Sequence, residues 1–524
     1  RVSFKNVFVT VLSSIQGLNR VGGVAGFIKA GDIQNALVHN EDLFGSSIVI
    51  SLSPSSSEPV LIGGILGEGN LKVISKTYFT QTISRSSSQV GEQKIKSSAL
   101  ASIVPLLNRS IWFQRDPLIE PEFTWQPRFC SLNKQQAIGF ADGDGSAEHP
   151  YVICSPHQFH LISKLIENDT GLSTSQRRGW ANMHYVLLND LDMKYYDGSS
   201  PAKTLHPIGT YSSGSTTGKL PFQGTFDGKR YKISNVILKT SSSGTNWGLF
   251  RYVVVSKIIN VNLQNVWVEA KGINEVGALS GGGFVGFLGY NSVTGGKVIG
   301  KSTVGGLFGT AFFKVRDSYS KDLVVQSLTD VAGGVVGQSS QSLYRVFSIN
   351  GQVSAANYAG GIIGKGTGFL RDAYSSNKVT VGTDFVGGLA AQWGYSNTNT
   401  TAANNHVENV YFSGILTGGK HQGGLFAKAF LTSMKNSYSL ANINDSLSSS
   451  GGAWAIVDDI SSAQNVWAID AQNSSKEPGV QYSSSTITVR KKATGVTQTT
   501  PLWPFGTVWK NFDPSKEDPV FLWQ

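Results

Sequence analysis

The chain has 524 residues, of which 40% are hydrophobic and 10% aromatic, enough apolar material to bury a core and too much for a disordered polymer. Only 15% of residues are charged, and the net charge of +10 comes from scattered lysines and arginines without a dense block or a nucleic-acid motif, so sequence-specific nucleic-acid binding is not expected. No apolar run reaches the ~20 residues of a membrane-spanning helix.

Taken in chain order, residues 1–126 read as the C-terminal part of a solenoid module, with coils around Val21-Gly22-Gly23-Val24 and Ile62-Gly63-Gly64-Ile65. Its ending, Ile111-Trp112-Phe113-Gln114-Arg115-Asp116-Pro117, is echoed by Val508-Trp509-Lys510-Asn511-Phe512-Asp513-Pro514, which predicts two module ends in one chain. The sequence opens at Arg1 inside a repeat and shows no charged-then-apolar leader. The expectation is therefore that more protein lies upstream in the native product. Residues 127–141 read as a linker, and 142–524 as a complete second module: a capping segment at 142–240, coils at 241–480 and a C-terminal cap at 481–524.

Cys130 and Cys154 flank the start of that module. In an exported protein such a pair usually bridges, and a disulfide is expected; buried free thiols are the alternative. With no matching histidines, neither a structural zinc site nor any other cofactor is expected. Asp142-Gly143-Asp144-Gly145 resembles the start of a calcium loop, but Ile153 stands where the loop needs its glutamate, so a plain turn is the better reading. A helix follows. Ser155 suits its N-cap, Pro156 its first turn and Gln158 a capping box, ahead of a stripe of Phe159, Ile162, Leu165 and Ile166. This helix is predicted to lid the first coil, where a solenoid otherwise exposes strand edges. His157 and His160 lie three apart on it; half a metal site is conceivable, and solvent-facing histidines are simpler.

Asp190 and Asp192 stand two apart on a predicted strand, hence on one face. Carboxylates gathered this way can bind calcium or act as acid and base, but no later coil repeats them, and a structural role is expected. Asp227-Gly228 reads as a tight turn. No Gly-x-Ser-x-Gly, His-Glu-x-x-His or phosphate loop occurs, so no enzymatic activity is expected.

Beyond residue 240 one phrase recurs. Val304-Gly305-Gly306-Leu307-Phe308-Gly309 returns in altered form, with its first-glycine slots at 247, 277, 305, 333, 360, 387, 423 and 451. Most intervals are 27 to 30 residues, and the long one holds a polar insert at 395–400. Such a period marks a solenoid. About 12 to 14 residues after the glycines come a polar residue, a small or β-branched one and an aromatic, as in Asp317-Ser318-Tyr319 and Asp372-Ala373-Tyr374. Val261, Leu263, Val266 and Val268 show the alternation of strands. The prediction is an all-β, right-handed parallel β-helix with repeats of about 27–28 residues. The glycine pairs would turn a tight corner by positive φ or close approach. Tyr319, Phe347, Tyr374, Tyr411, Tyr438 and Trp467 would hold equivalent places on successive coils and stack inside the core.

These repeats resemble the GLUG motif of bacterial surface proteins, including filamentous-haemagglutinin-like adhesins and non-catalytic parts of secreted peptidases. The opening segment is similar too, from Tyr185-Val186-Leu187-Leu188-Asn189-Asp190-Leu191-Asp192 through His206-Pro207-Ile208-Gly209 to Phe222-Gln223-Gly224-Thr225-Phe226-Asp227-Gly228. The resemblance covers residues 140–524 and part of 1–126. It implies an extracellular adhesin, stalk or surface-fibre scaffold. Binding is expected on flat faces and on loops 210–219 and 393–405, with neighbouring modules and copies of the chain among the partners. The net charge of +10 reads first as scattered lysines that keep a long surface soluble, and as the sharper alternative it gives a basic stripe for a glycan or other cell-surface polyanion. The alternatives are the stalk of a secreted protease and a polysaccharide-active β-helix enzyme.

Overall fold

The computed structural model describes residues 139–167, 172–209, 220–394, 405–429, 433–439 and 441–444, Cys130, and the backbone of the further strands named below. Loop 210–219, most of loop 393–405 and nearly all of the C-terminal cap lie outside the described residues.

The chain divides into two compact units, Arg1–Pro127 and, essentially, Arg128–Leu522. In the first, strands Val2–Val11, Ala25–Asn40, Leu66–Phe79 and Glu92–Lys94 pair in parallel in that order. Val21 lies opposite Ile62 and Gly22 opposite Gly63, so the two glycine phrases occupy successive coils. Trp112–Phe113 pairs antiparallel with Glu122–Phe123.

The second unit is a parallel β-solenoid. Eight successive strands, Gly244–Trp247, Ile273–Gly277, Thr303–Gly305, Val331–Gly333, Tyr358–Gly360, Phe385–Gly387, His421–Gly423 and Ala453–Trp454, form one sheet in sequence order. The rest of each coil joins a second, continuous sheet of 25 strands. In the coil that begins at Val331, the side chains of Ala332, Val335, Val336, Leu343, Val346 and Val353 fill the interior. A coil alone could not bury them; each shields the next, so the core is one contiguous column from Ile153 to Met434.

Two of the corners are left-handed. Asn260, Tyr290, Asp317, Arg345, Asp372 and Asn409 stand above one another, all with φ between 48° and 59°. Asn235, Asn265, Gly295, Asp322 and Asn350 form the second such column. Asn and Asp tolerate this conformation because their short side chains bond locally, and here they also bond between coils. Asn265 Nδ2 donates to Asn235 Oδ1 at 2.6 Å, and Asn235 Nδ2 to Asp192 Oδ1 at 2.8 Å. The polar member of the sequence marker is thus a corner residue.

The glycine corner works by the other of the two expected devices. Gly305 and Gly306 do not have positive φ. A Cβ on Gly305 would overlap the Phe308 carbonyl and sit 2.6 Å from Gly337 N, and one on Gly306 would overlap the Gly334 carbonyl. Close backbone approach is the reason for glycine. The register also moves two slots. Trp247 pairs with Val276, which puts Gly248 rather than Trp247 beside Gly277. On the last coil Trp454 lies opposite Gly423, so the doublet Gly451-Gly452 precedes the corner.

Tyr319, Phe347, Tyr374, Tyr411, Tyr438 and Trp467 are backbone partners on six consecutive coils. Tyr319 stacks on Phe347 at 4.4 Å and Phe347 on Tyr374 at 5.2 Å, with the ring planes nearly parallel. The stack is not inside the core. Between the left-handed corners at Arg345 and Asn350, Val346 and Ser348 turn inward, so alternation sends Phe347 to the opposite side. Phe347, Tyr374 and Tyr411 are nonetheless buried.

At the head, α1 (Pro156–Ile166) starts at Ser155, whose hydroxyl accepts from Gln158 N. Gln158 does not close the box; its Oε1 accepts from Cys154 N at 2.7 Å. Phe159, Ile162 and Ile166 enter the core, Phe159 edge-on to Phe226, while Leu165 is half-exposed. A second helix, α2 (Thr174–Ala181), has a full Ser173/Gln176 capping box. Cys130 is disulfide-bonded to Cys154, among Val152, Val186 and Leu188. Closing a loop of this length stabilises by about 3 kcal/mol in the chain-entropy model. Cys154→Ser should lose about that much in urea unfolding, and thiol titration of the denatured, unreduced chain should find almost no free thiol.

Candidate functional site

Of the acidic residues that sequence reading singled out, Asp190, Asp192 and Asp227 are bonded between coils, and Asp142 and Asp144 within their own turn. Asp190 precedes its strand instead of lying on it, and its Oδ1 accepts from Lys232 N of the next coil at 2.7 Å. Asp192 accepts from Asn235 and from Lys194 N, and these bonds hold its carboxyl below the usual range. Asp227 accepts from Lys229 N and from Asn260 Nδ2. In the Asp142–Gly145 turn, Asp142 accepts from Gly143 N and Asp144 from Ser146 N. Among the described residues no three His, Cys, Asp or Glu side chains gather to hold a metal.

The histidines part company. His157 is exposed and shares a 2.7 Å hydrogen bond with the Tyr196 hydroxyl. His160, expected at the surface, is 6% exposed and lies 4.6 Å from the Tyr196 ring, because Gln158, Phe159 and His160 all fall on the side of α1 that meets the coil. Burial, followed by Lys164, His206 and His157, pushes its pKa down to about 4. The folded state therefore binds this proton less readily than the unfolded chain. The stabilisation is complete above about pH 6.5 and is lost as pH falls towards 4, by roughly 2–3 kcal/mol. Chemical denaturation across that range should show the loss, and His160→Phe should flatten it.

A more extended feature lies where the glycine corner folds two strand columns against each other. One column is Asn246, Glu275, Thr303, Val331, Tyr358, Phe385 and His421. The other is Tyr252, Gly282, Thr310, Gln338, Lys365, Gln392 and Lys428. They face one another: Lys365 Nζ sits 3.5 Å from the Tyr358 ring centroid and Lys428 Nζ 5.7 Å from that of Phe385. The rings of Tyr358, Phe385 and His421 stack at 5.2 and 4.6 Å. Their faces cover one another, so half-exposed ring edges, amides and ammonium groups meet solvent. Burial lowers the Lys365 pKa against the raising effect of Asp330 and Asp384. Towards the head, burial raises Glu275 to about 6. A second basic cluster surrounds Trp267, with Lys239 and Lys297 ammonium groups 3.2 and 3.9 Å from its ring. Its indole N–H donates to Glu269, which pairs with Lys271 at 2.8 Å.

Sequence reading missed these columns. The signal was present two residues before each corner glycine, as Thr303 stands to Gly305, and two residues after the apolar residue that leaves the corner, as Thr310 stands to Phe308, but a single such position in one repeat carries no pattern.

No protein family matches the chain, and no curated protein is similar to it in sequence. One solved structure that resembles it is a Bacteroides ovatus protein described provisionally as an immunoglobulin A1 protease, at 16% identity and a TM-score of 0.34, over 73% of this chain and 95% of that one. At that TM-score the likeness carries no argument about activity.

Proposed function

We propose that this chain is a binding and scaffolding module of a bacterial cell surface, an adhesin or surface-fibre component that engages acidic glycans or similar polyanions along its length. The supporting observation is the pair of columns at the glycine corner, which places Gln338, Lys365, Gln392 and Lys428 on four successive coils over a half-exposed strip. Repetition turns weak contacts into avidity. The carboxylates that an enzyme would need are engaged in coil-to-coil bonds, and the Cys130–Cys154 disulfide suits an oxidising, extracytoplasmic setting. The resemblance to GLUG-repeat proteins points the same way.

The test is binding of the full chain to immobilised acidic and neutral polysaccharides at two salt concentrations. Acidic chains should be preferred, salt should weaken them, and a Lys365→Ala/Lys428→Ala variant should bind several-fold less tightly. Deleting the gene should reduce attachment or aggregation of the cells. Depolymerisation of a polysaccharide by the purified chain, abolished by Asp190→Asn/Asp192→Asn, would overturn the reading.

A further inference from the structure

At the head end of the glycine corner stands a carboxylate without a counter-charge. Glu275 Oε2 is buried and accepts no hydrogen bond, and the carboxyl feels burial alone, with no cation among the described residues close enough to oppose it. Its partner on the coil before, Asn246, is 4% exposed, and Asn246 Oδ1 is likewise buried and accepts no hydrogen bond. A buried acceptor left unanswered is costly. Native proteins keep such atoms where an ion, a water or a function answers them.

The facing column makes room for an ion at this one level. Farther along, Tyr358 is faced across the corner by Lys365, seven residues on, whose ammonium group lies 3.5 Å from the ring centroid. Seven residues beyond Glu275 stands Gly282, the one glycine among the described residues of that column. No side chain faces Glu275 from its own coil. Neighbouring coils reach in instead. A Cβ added to Gly282 would lie 2.7 Å from Asn246 Nδ2 and 2.6 Å from Thr310 Oγ1, so an amide from the coil before and a hydroxyl from the coil after meet beside it. The Tyr252 ring bounds the same point at 3.2 Å. A half-turn of the Asn246 amide exchanges its two ends, which brings Oδ1 to the place that Nδ2 holds.

The donor atoms select the ion. A carboxylate, an amide oxygen and a hydroxyl are hard oxygen ligands, with no thiolate or imidazole among them, which suits calcium rather than zinc or copper. Calcium accepts irregular sets of oxygens, whereas magnesium demands a near-ideal octahedron. With a single carboxylate the affinity is low, in the range of about 10⁻⁴–10⁻³ M that extracellular calcium modules use.

We propose that Asn246, Glu275 and Thr310, with Gly282 leaving room between them, form a weak calcium site. The ion answers the Glu275 charge and ties three successive coils together at the head of the solenoid. The site does not rest on the glycan reading, since calcium binding is measured without any polysaccharide.

Terbium replaces calcium on oxygen ligands and luminesces when an aromatic ring beside it is excited, so it tests the site in the full chain, with Tyr252 as the antenna. Emission should saturate, and calcium should quench it by competition with a dissociation constant of about 10⁻⁴–10⁻³ M. Thermal unfolding should move upward as calcium is raised through the same range. Glu275→Gln keeps the shape and removes the charge; it should bind at least about tenfold more weakly, while the calcium-free variant melts no lower than wild type. Thr310→Val, a second variant of matched shape, should also weaken binding, and Glu269→Gln, in the Trp267 cluster, should leave it unchanged. Absence of saturable emission, or equal calcium affinity in wild type, Glu275→Gln and Thr310→Val, would overturn the proposal. So would a melting temperature indifferent to calcium, which would mean that Glu275 and Asn246 answer each other directly, or loss of the emission in Glu269→Gln, which would place the ion at Trp267.

Discussion

Gly305→Val is expected to destabilise the coils by at least about 4 kcal/mol, a loss that only core or backbone disruption produces. The new Cβ would meet the Phe308 carbonyl of its own corner and Gly337 N of the next coil. Both are backbone atoms, so no side-chain rotation makes room. The corner could open only by pulling Leu307 and Phe308 out of the core, where both are fully buried. Because each coil templates its neighbour, the damage should spread, and urea unfolding followed by circular dichroism should split into two transitions. Gly179→Ala is the control: it lies in α2 with open space around its α carbon, and should gain up to about 1 kcal/mol from helix propensity. A Gly305→Val chain as stable as wild type would mean that the corner has room its geometry denies.

The same corner shows what the sequence could and could not reveal. Its period was legible because every coil must bring the same atoms to the same place, and the Val-Gly-Gly phrase records that demand. The alignment of Tyr319, Phe347, Tyr374 and their successors follows from the same constraint. The direction of those rings was not legible. Alternation fixes which residues share a side only until a left-handed residue resets it, and Arg345 gives no hint in sequence that it is one. Glycine at the tight corner was readable as glycine, but positive φ and close approach leave the same residue type behind. The slots at 248 and 454 were misplaced because the first coil's corner is one residue shorter and because Gly451-Gly452 imitates the phrase without occupying it. Burial of His160 depended on how α1 sits on the first coil, which no spacing within the helix determines.

The acidic corner residue has the sharper consequence. Asp317 is nearly fully buried, and Arg345 from the next coil grips it through two bonds, Nε to Oδ1 at 2.6 Å and Nη2 to Oδ2 at 2.7 Å. Asp317→Ala should cost about 3–5 kcal/mol, because it strands a guanidinium in a poorly solvated site. Alanine adds about 1 kcal/mol of strain at a φ of 48°. Arg345→Asn should be far milder, within about 1 kcal/mol. The molecule already contains that arrangement higher in the same column, where Asn409, with a φ of 55°, donates from Nδ2 to Asp372 at 2.7 Å. Asparagine keeps the left-handed conformation and can reach the carboxylate one coil below. Thermal and urea unfolding of the two variants would decide the matter. If Asp317→Ala were as mild as Arg345→Asn, the ion pair would be a solvated surface contact, and the column would be held by backbone conformation alone.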